Sequence, residues 1–528
     1  MVRISFGSPR QALRLIHQDE LFPESHIANK RITYSFWNAS TSEAHDEGYQ
    51  TNGGAQVREF LEQPRDVVQA VHQALHQISK FIDISFRLVP DTGFNYHPNL
   101  RRAQRGRIRI MTDGNGSPDG SSHGPSGGHR RQGGETFFRP YAQGTSYEDV
   151  INGTAERRGW ADERISFMNN GYHYIIHELQ HSLGLGHGHD LGQRDTNPHT
   201  RESDHAYNTL QSYTPFVEKN TVLATPMPDD IHALQYIYGA RKLNDSGTVY
   251  TFKRSDLYKS PGAKQLLPRN YYWHEIDNIN TIDDSGGSDW LDFSDSRSVM
   301  HRDGVRVNLQ PGGYIFGQAD WRNAGSVTSH DSTVEIENMP VKGTRLSWRT
   351  NIENVLGTEA GPDVVIANNA RNKIFTYGGN DFIVGYSGRD HIIAGSGRDH
   401  IIGGRDSDLI LLGNGDRNPD NQIDRLDYKS HAESRPMSRD TVHGFGAQDL
   451  IDLNDLDGNL DRSGKQRLRY IGQSSFTRRA GEVRAIGSVG RTFIQADLTG
   501  NGVPDFEILL GAGSVGPRSL TASNFVFL

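Results

Sequence analysis

Residues 171–189 read GYHYIIHELQHSLGLGHGH, and within them His177, Glu178, His181, Gly184 and His187 fall at the spacing H-E-x-x-H-x-x-G-x-x-H. Residues four apart share one face of a helix, so His177 and His181 project side by side. Two imidazoles on one helix can bind a single Zn²⁺, and Glu178 sits one step round from the first of them. Gly184 tolerates the left-handed backbone that ends a helix and turns the chain back, which brings His187 round as a third ligand. Three protein ligands leave a fourth position open for water, the arrangement of a catalytic rather than a structural zinc. The five-residue HExxH alone also occurs in unrelated helices; the eleven-residue form fixes five identities at once. His173 and His189, in the same stretch, read as an incidental histidine tract.

Helices and strands must hold that constellation. Ile32–Trp37 is a β-branched and aromatic run that predicts a first strand. From Pro64 and Asp66 onward, Val67, Val68, Val71, Ala74, Leu75 and Ile78 keep helical spacing. Ile84, Phe86 and Leu88 alternate with Ser85 and Arg87, and residues 106–112 (GRIRIMT) do the same. Residues 113–134 are glycine-rich, with His123 and His129 read as solvated, and predict a mobile surface loop. Pro228–Ile231 opens a last helix with two aspartates in its first turn, and Gly239 ends it. The succession predicts an α+β domain over 31–242, a sheet backed by helices. Residues 1–30 read as an N-terminal extension and a candidate propeptide.

The chain has 528 residues, 58 glycines, 34% hydrophobic residues, a net charge of −8 and no cysteine. That length predicts several domains, and the glycine content points to turn-rich architecture. A weakly acidic chain argues against a nucleic-acid partner. Without cysteine, disulfides and thiolate chemistry are excluded, and another device, such as bound metal, must staple the fold. Met1–Gly7 carries no apolar core of a signal peptide, and no run of about 18 apolar residues predicts a membrane span.

From residue 243 helical periodicity disappears, and residues 243–350 read as a β-rich linker. A nine-residue period then emerges: Leu356, Val365, Ile374, Ile383, Ile392, Ile401 and Ile410 are each nine apart, preceded two residues earlier by Asn354, Asp363, Asn372, Asp381, Asp390, Asp399 and Asp408. Glycines, among them Gly379, Gly388 and Gly397, cluster ahead of the acids, giving the G-G-x-G-x-D-x-U-x pattern of a calcium-binding parallel roll over 351–415. If two repeats make one coil, repeats eighteen apart stack, with Asp363, Asp381 and Asp399 on one edge and Asp390 and Asp408 on the other. Stacked carboxylates repel unless a cation lies between them, and Ca²⁺ accepts six to eight oxygens, backbone carbonyls included. Asn372 in place of an acid, Thr376 and Tyr377 in place of glycines and Asp406 in place of another lower the expectation to two to four ions.

The zinc signature followed by the calcium roll resembles the serralysins, secreted bacterial zinc metalloproteases of the metzincin clan. The resemblance runs from about residue 30 to the end. Residues 229–239 are similar to the family's closing helix of the catalytic domain, 351–354 to its entry into the roll, and 496–508 with 520–525 to its C-terminal cap, here 416–528. It implies a metzincin catalytic domain followed by an all-β domain, one catalytic Zn²⁺, several structural Ca²⁺, protein or peptide substrates, and a monomer. It also implies an extracellular location, reached through a type I secretion machinery that reads the apolar tail Asn524–Leu528. It places Glu178 as general base and Tyr213 as a metal-adjacent tyrosine that stabilises the oxyanion. Two positions depart from the family: Gln211 stands where the Met-turn methionine belongs, and Gly188 where a proline follows the third histidine. Gln211 favours an alternative, a catalytically silent metalloprotease-like domain on a calcium-dependent binding module. A zinc hydrolase of non-peptide amides and an intracellular zinc-binding structural protein are weaker rivals, opposed by Tyr213 and by the roll.

Overall fold

The computed structural model describes residues 9–16, 30–36, 60–61, 65–90, 107–113, 121–122, 135–138, 170–187, 208–212, 222–223, 225–242, 246–252, 272–273, 278–294, 304–317, 321–322, 326–328, 333–335, 339–340, 343–413, 415 and 419–527. The chain divides into two compact units. One comprises 1–243 with 277–283 and 322–348; the other comprises 244–276, 284–321 and 349–528.

In the first unit, β1 (Arg31–Phe36) is followed by α1 (Arg65–Phe81), β2 (Ser85–Leu88), β3 (Ile108–Asp113) and β4 (Glu135–Phe138). These strands lie in the order β2-β1-β3-β4, parallel throughout. Short antiparallel pieces, Phe60–Leu61 and Ser121–Ser122, attach to β3 and β4; the latter pair and Asp113 are the described parts of the glycine-rich stretch. Parallel pairing needs a crossover, and α1 supplies the one between β1 and β2. Its Val67, Ala70, Val71, Ala74, Leu75 and Ile78 form one buried stripe, the period a core-facing helix requires.

Two further helices close this core: α2 (Asn170–Ser182) and α3 (Pro228–Tyr238). Ile175, Ile176 and Leu179 of α2 and Ile231, Ala233 and Leu234 of α3 are fully buried in the same cluster as Ile32, Ile108 and Ile110 of the sheet. Helix α3 starts with Pro228, whose missing N–H costs nothing there, while the Asp230 carboxylate accepts the Met227 N–H at 2.9 Å. It stops at Gly239, whose φ of 80° is the left-handed turn-out. Residues 9–16, in the segment read as an extension, contribute buried Ala12, Leu15 and Ile16. Ile16 bridges Leu185, and the Leu15 carbonyl accepts the Gly186 N–H at 2.7 Å.

The second unit is built on two parallel sheets that share consecutive coils. One runs through 305–308, 364–366, 382–384, 400–402, 425–427, 450–452 and 525–526; the other through 249–252, 290–292, 354–356, 373–375, 391–393, 409–411, 441–443 and 506–510. Across the repeats the register is eighteen residues, Val365 on Ile383 on Ile401 and Ile374 on Ile392 on Ile410. Each of these aliphatics is at most 1% exposed, so every short strand commits one side chain to the interior. Full burial of one such side chain is worth roughly 1.5–3 kcal/mol.

At its N-terminal end the repeat slips. Val355, not Leu356, pairs with Ile374 and is buried, while Leu356 lies beside Phe375 and is only partly covered. The coil between them is nineteen residues long, one more than the period. Glu353 rather than Asn354 then takes the place of the repeat acid, accepting the Asp289 N–H at 2.8 Å. The coiled stack also outruns 351–415 in both directions, from 249–252 to 525–526. Asp424, Asp440 and Asp449 continue the acids after insertions, each two residues before a buried aliphatic: Leu426, Val442 and Ile451.

Gly397 has φ 136°, and a Cβ placed on it would run into the Gly379 carbonyl oxygen of the neighbouring coil. Gly397→Ala is therefore expected to cost about 1–3 kcal/mol or more of roll stability, the range for forcing extra atoms into a packed site. A lower urea midpoint at fixed calcium, followed by circular dichroism, checks it.

Candidate metal centre

The histidine cluster is assembled by one helix and the reversal after it. His177 and His181 lie one turn apart on α2. The helix ends in a paired 6→1 and reversed bond pattern, Leu185 N–H to Gln180 O at 3.1 Å and Gly184 N–H to His181 O at 2.9 Å, with Gly184 at φ 97°. That turn brings His187 back onto the other two. The three Nε2 atoms form a triangle with sides of 3.0, 3.0 and 3.3 Å. A tetrahedral ion with Zn–N bonds of about 2.0–2.1 Å holds its nitrogens roughly 3.3 Å apart, so one such ion fits the triangle. Among the described residues these three are the histidine and carboxylate atoms gathered closely enough to share an ion.

The far sides of two of the rings fix which nitrogen faces the cluster. His177 Nδ1 lies 2.8 Å from the Leu210 carbonyl and His181 Nδ1 lies 2.7 Å from the Leu185 carbonyl. A carbonyl only accepts, so each Nδ1 carries the proton and each Nε2 presents a lone pair to the cluster. The lone pairs of His177 and His181 converge with His187 Nε2 within 3.0–3.3 Å of both and repel one another unless a cation or proton lies between them, which is the donor chemistry of a zinc site. Glu178 follows His177 on α2 and is 6% exposed. His173 points its ring at Tyr174 rather than joining the triangle; burial, then the nearby His177, holds its pKa down at about 3.

Beneath the cluster, residues 208–212 are gripped from α3. Asp230, fully buried, accepts the Thr209 hydroxyl at 2.5 Å and the Leu210 N–H at 2.8 Å. Burial raises its pKa to about 6 against those bonds. Its neighbour Asp229, raised by burial to about 8, accepts the Trp348 indole N–H at 2.7 Å. Gln211, at the position the resemblance gives to methionine, is fully buried; its amide donates to Gln180 Oε1 at 2.8 Å and to the His177 carbonyl at 3.1 Å. Tyr213, Gly188 and His189 lie outside the described residues.

The roll holds a second set of candidate ligands. Along one edge the Asp363 N–H donates to Asp381 Oδ1 at 2.7 Å, Asp381 to Asp399 at 2.9 Å, Asp399 to Asp424 at 2.9 Å and Asp424 to Asp449 at 3.1 Å. Along the other, Asn372 donates to Asp390 at 2.8 Å, Asp390 to Asp408 at 2.9 Å and Asp408 to Asp440 at 2.9 Å. One oxygen of each acid is thus spent on the preceding coil. The other, Oδ2, is buried without a hydrogen-bond partner among the described residues at Asp381, Asp390, Asp399, Asp408 and Asp440. Asp363 differs: its Oδ2 accepts the Thr358 N–H at 2.7 Å, and its Oδ1 accepts the Val305 N–H at 2.8 Å and the Thr358 hydroxyl at 2.9 Å.

Burial, with help from neighbouring acids, raises Asp381, Asp399 and Asp408 to about 7 and Asp390 to about 8. Gly379, Gly388 and Gly397 have φ of 134°, 126° and 136°, and a Cβ at any of them would strike a carbonyl oxygen of the adjacent coil. Buried carboxylate oxygens left without donors, beside glycine turns that expose carbonyls, fit a hard cation with oxygen ligands. Sequence reading missed Asp424, Asp440 and Asp449 because insertions break the period; the local D-x-aliphatic triplet was the surviving signal.

Comparison with known proteins bears on the roll and on the chain as a whole. A family model described as the RTX calcium-binding nonapeptide repeat (4 copies) matches residues 358–392 and 384–417. The chain is 27% identical over 375 residues to a serralysin of Photorhabdus luminescens, covering 68% of this chain and 61% of the relative. It is 31% identical over 156 residues to serralysin A of Dickeya chrysanthemi, 28% and 29% of the two chains. It is 27% identical over 219 residues to a serralysin of Proteus mirabilis, 39% and 37% of the two chains. The match thus spans about three fifths of the first relative's length. No helix among the described residues is long and apolar enough to cross a membrane.

Proposed function

We propose that this serralysin-type chain with RTX calcium-binding repeats is a calcium-stabilised zinc metalloendopeptidase that acts outside the cell. The observation that carries the reading is the Nε2 triangle of His177, His181 and His187, with sides of 3.0–3.3 Å and with Nδ1 of the first two engaged by backbone carbonyls. When bound there, zinc supplies a Lewis acid for the scissile carbonyl and lowers the pKa of a water molecule to about 7. Glu178, as carboxylate, takes the proton of the attacking water and returns it to the leaving amine. Leu210 and Leu185 keep the two imidazoles in one tautomer throughout. Tyr213, by resemblance, steadies the oxyanion.

In this reading residues 31–242 form a metzincin-type α+β catalytic domain, 243–350 a β-rich connection, 351–415 the calcium roll and 416–528 its cap with the export signal. The substrates are proteins or peptides, and export uses a type I machinery. In the roll, Asp381, Asp390, Asp399 and Asp408 with the carbonyls at Gly379, Gly388 and Gly397 hold Ca²⁺. Asp363 ranks below them, because its oxygens already have protein donors. The silent binding-module alternative rests on Gln211. Its amide hydrogen bonds to Gln180 and His177 weaken that objection, since both donor hydrogens of the buried side chain are used.

The purified protein is expected to cleave casein in calcium, to stop when a zinc-selective chelator is added, and to resume on addition of Zn²⁺. Casein left intact by zinc-loaded, calcium-loaded protein sinks the hydrolytic reading and leaves the binding module.

A further inference from the structure

We propose that Gln211, acting with Gln180, is a positioning residue for the metal ligand His177. The inference rests on the reading of the histidine triangle as a zinc site. His177 is tied to residues 210–211 twice. Its ring Nδ1 donates to the Leu210 carbonyl at 2.8 Å, and its backbone carbonyl accepts the Gln211 amide at 3.1 Å. The same Gln211 nitrogen donates its second hydrogen to Gln180 Oε1 at 2.8 Å. Gln180 lies on α2 between the two helical ligands and is fully buried, as is Gln211. The other side of the turn is fixed from α3, where Asp230 holds Leu210 N–H and Thr209, and Thr209 Oγ1 accepts the Gln211 N–H at 2.9 Å.

The Leu210 carbonyl, which selects the tautomer of His177, is therefore set between two clamps. One is a carboxylate on α3; the other is a pair of amides that joins the turn to the zinc helix itself. A methionine could fill the space but could not donate to either acceptor. Groups that orient a metal-bound imidazole typically change metal affinity 10–100-fold when removed. Gln211 Oε1 has no hydrogen-bond partner among the described residues, so Gln211→Met also removes an unsatisfied buried acceptor, and overall stability need not fall with it. Metal affinity and fold stability are thus separable.

The test uses the full-length chain in calcium, with zinc dissociation constants measured by competition against a chelator of known affinity. Visible absorption of the cobalt-substituted protein reports the geometry of the site. Gln211→Met and Gln180→Met are each expected to weaken zinc binding about tenfold and to shift the cobalt bands. The double variant is expected to lose less than the product of the two, because neither amide is left facing a missing partner. Zinc affinities and cobalt spectra that match the wild type in both single variants overturn the proposal. So does a lowered melting midpoint of the metal-free variants with unchanged zinc affinity, since that marks a merely structural pair. Wild-type protein that takes up no zinc overturns this proposal together with the proteolytic reading. Wild-type protein that binds zinc and cleaves nothing, while Gln211→Met still weakens zinc binding, overturns the proteolytic reading alone and upholds this one.

Discussion

Glu178→Gln is expected to lower kcat for casein or peptide hydrolysis by about 10²–10⁴, the usual yield of a positioned general base, while zinc content per chain stays unchanged. The change keeps the volume and removes the charge that takes up a proton. Glu178 is 6% exposed on α2 beside His177, so a neutral isostere keeps the packing that a shorter side chain would lose. Zinc measured by metal analysis and hydrolysis measured at saturating substrate separate the two roles. A variant that retains chelator-sensitive turnover near the wild-type rate removes Glu178 from the mechanism; one that loses zinc as well makes it a structural partner of the ligands.

The histidine signature was legible because its geometry is local. Two histidines four apart on a helix of about 3.6 residues per turn and one glycine at its end determine where three rings go, and α2 with Gly184 at φ 97° delivers that arrangement. What lies beneath the rings was not legible. The partners of Gln211 come from α2, and those of the turn that carries it come from α3, about twenty residues further on. Neither pairing leaves a periodic trace. In the roll the eighteen-residue stacking followed from the period, and it failed where one inserted residue before Asp363 shifted the register, turning Leu356 outward and putting Glu353 in the ladder. Sequence reading also placed residues 9–16 in an extension; the bridge from Ile16 to Leu185 depends on a contact nearly 170 positions away along the chain.

Calcium removal is the second change with a large expected effect. Five buried Oδ2 atoms, at Asp381, Asp390, Asp399, Asp408 and Asp440, have no partner at hydrogen-bond geometry among the described residues. In a chelator at neutral pH the strands of the second unit should lose most of their circular dichroism, and they should recover it when calcium is restored. The pH dependence has a definite sign. Burial raises Asp381, Asp399 and Asp408 to about 7 and Asp390 to about 8 in the metal-free fold, against about 3.9 in an unfolded chain. Between those values the folded state binds more protons than the unfolded state, so the metal-free roll loses stability as pH rises from about 4 to about 8. Chelated protein should therefore be more ordered at pH 5 than at pH 8, and calcium uptake near pH 6 should release protons. A roll whose circular dichroism is indifferent to chelator at pH 8 refutes the cation assignment.

The one-way donation along the two acid ladders gives the stack a polarity. Every coil has its backbone N–H caught by a carboxylate that belongs to the coil after it, from Asp363 through Asp381, Asp399 and Asp424 to Asp449. Each coil's edge is therefore completed by its successor, whereas the last coils lean on different supports. Phe525–Val526 pairs with Ile451–Asp452, and the antiparallel strands 482–488, 491–497 and 506–510 brace Thr441–His443. The array is thus a one-way ladder: loss of a coil leaves the acid N–H of the coil before it without its carboxylate partner.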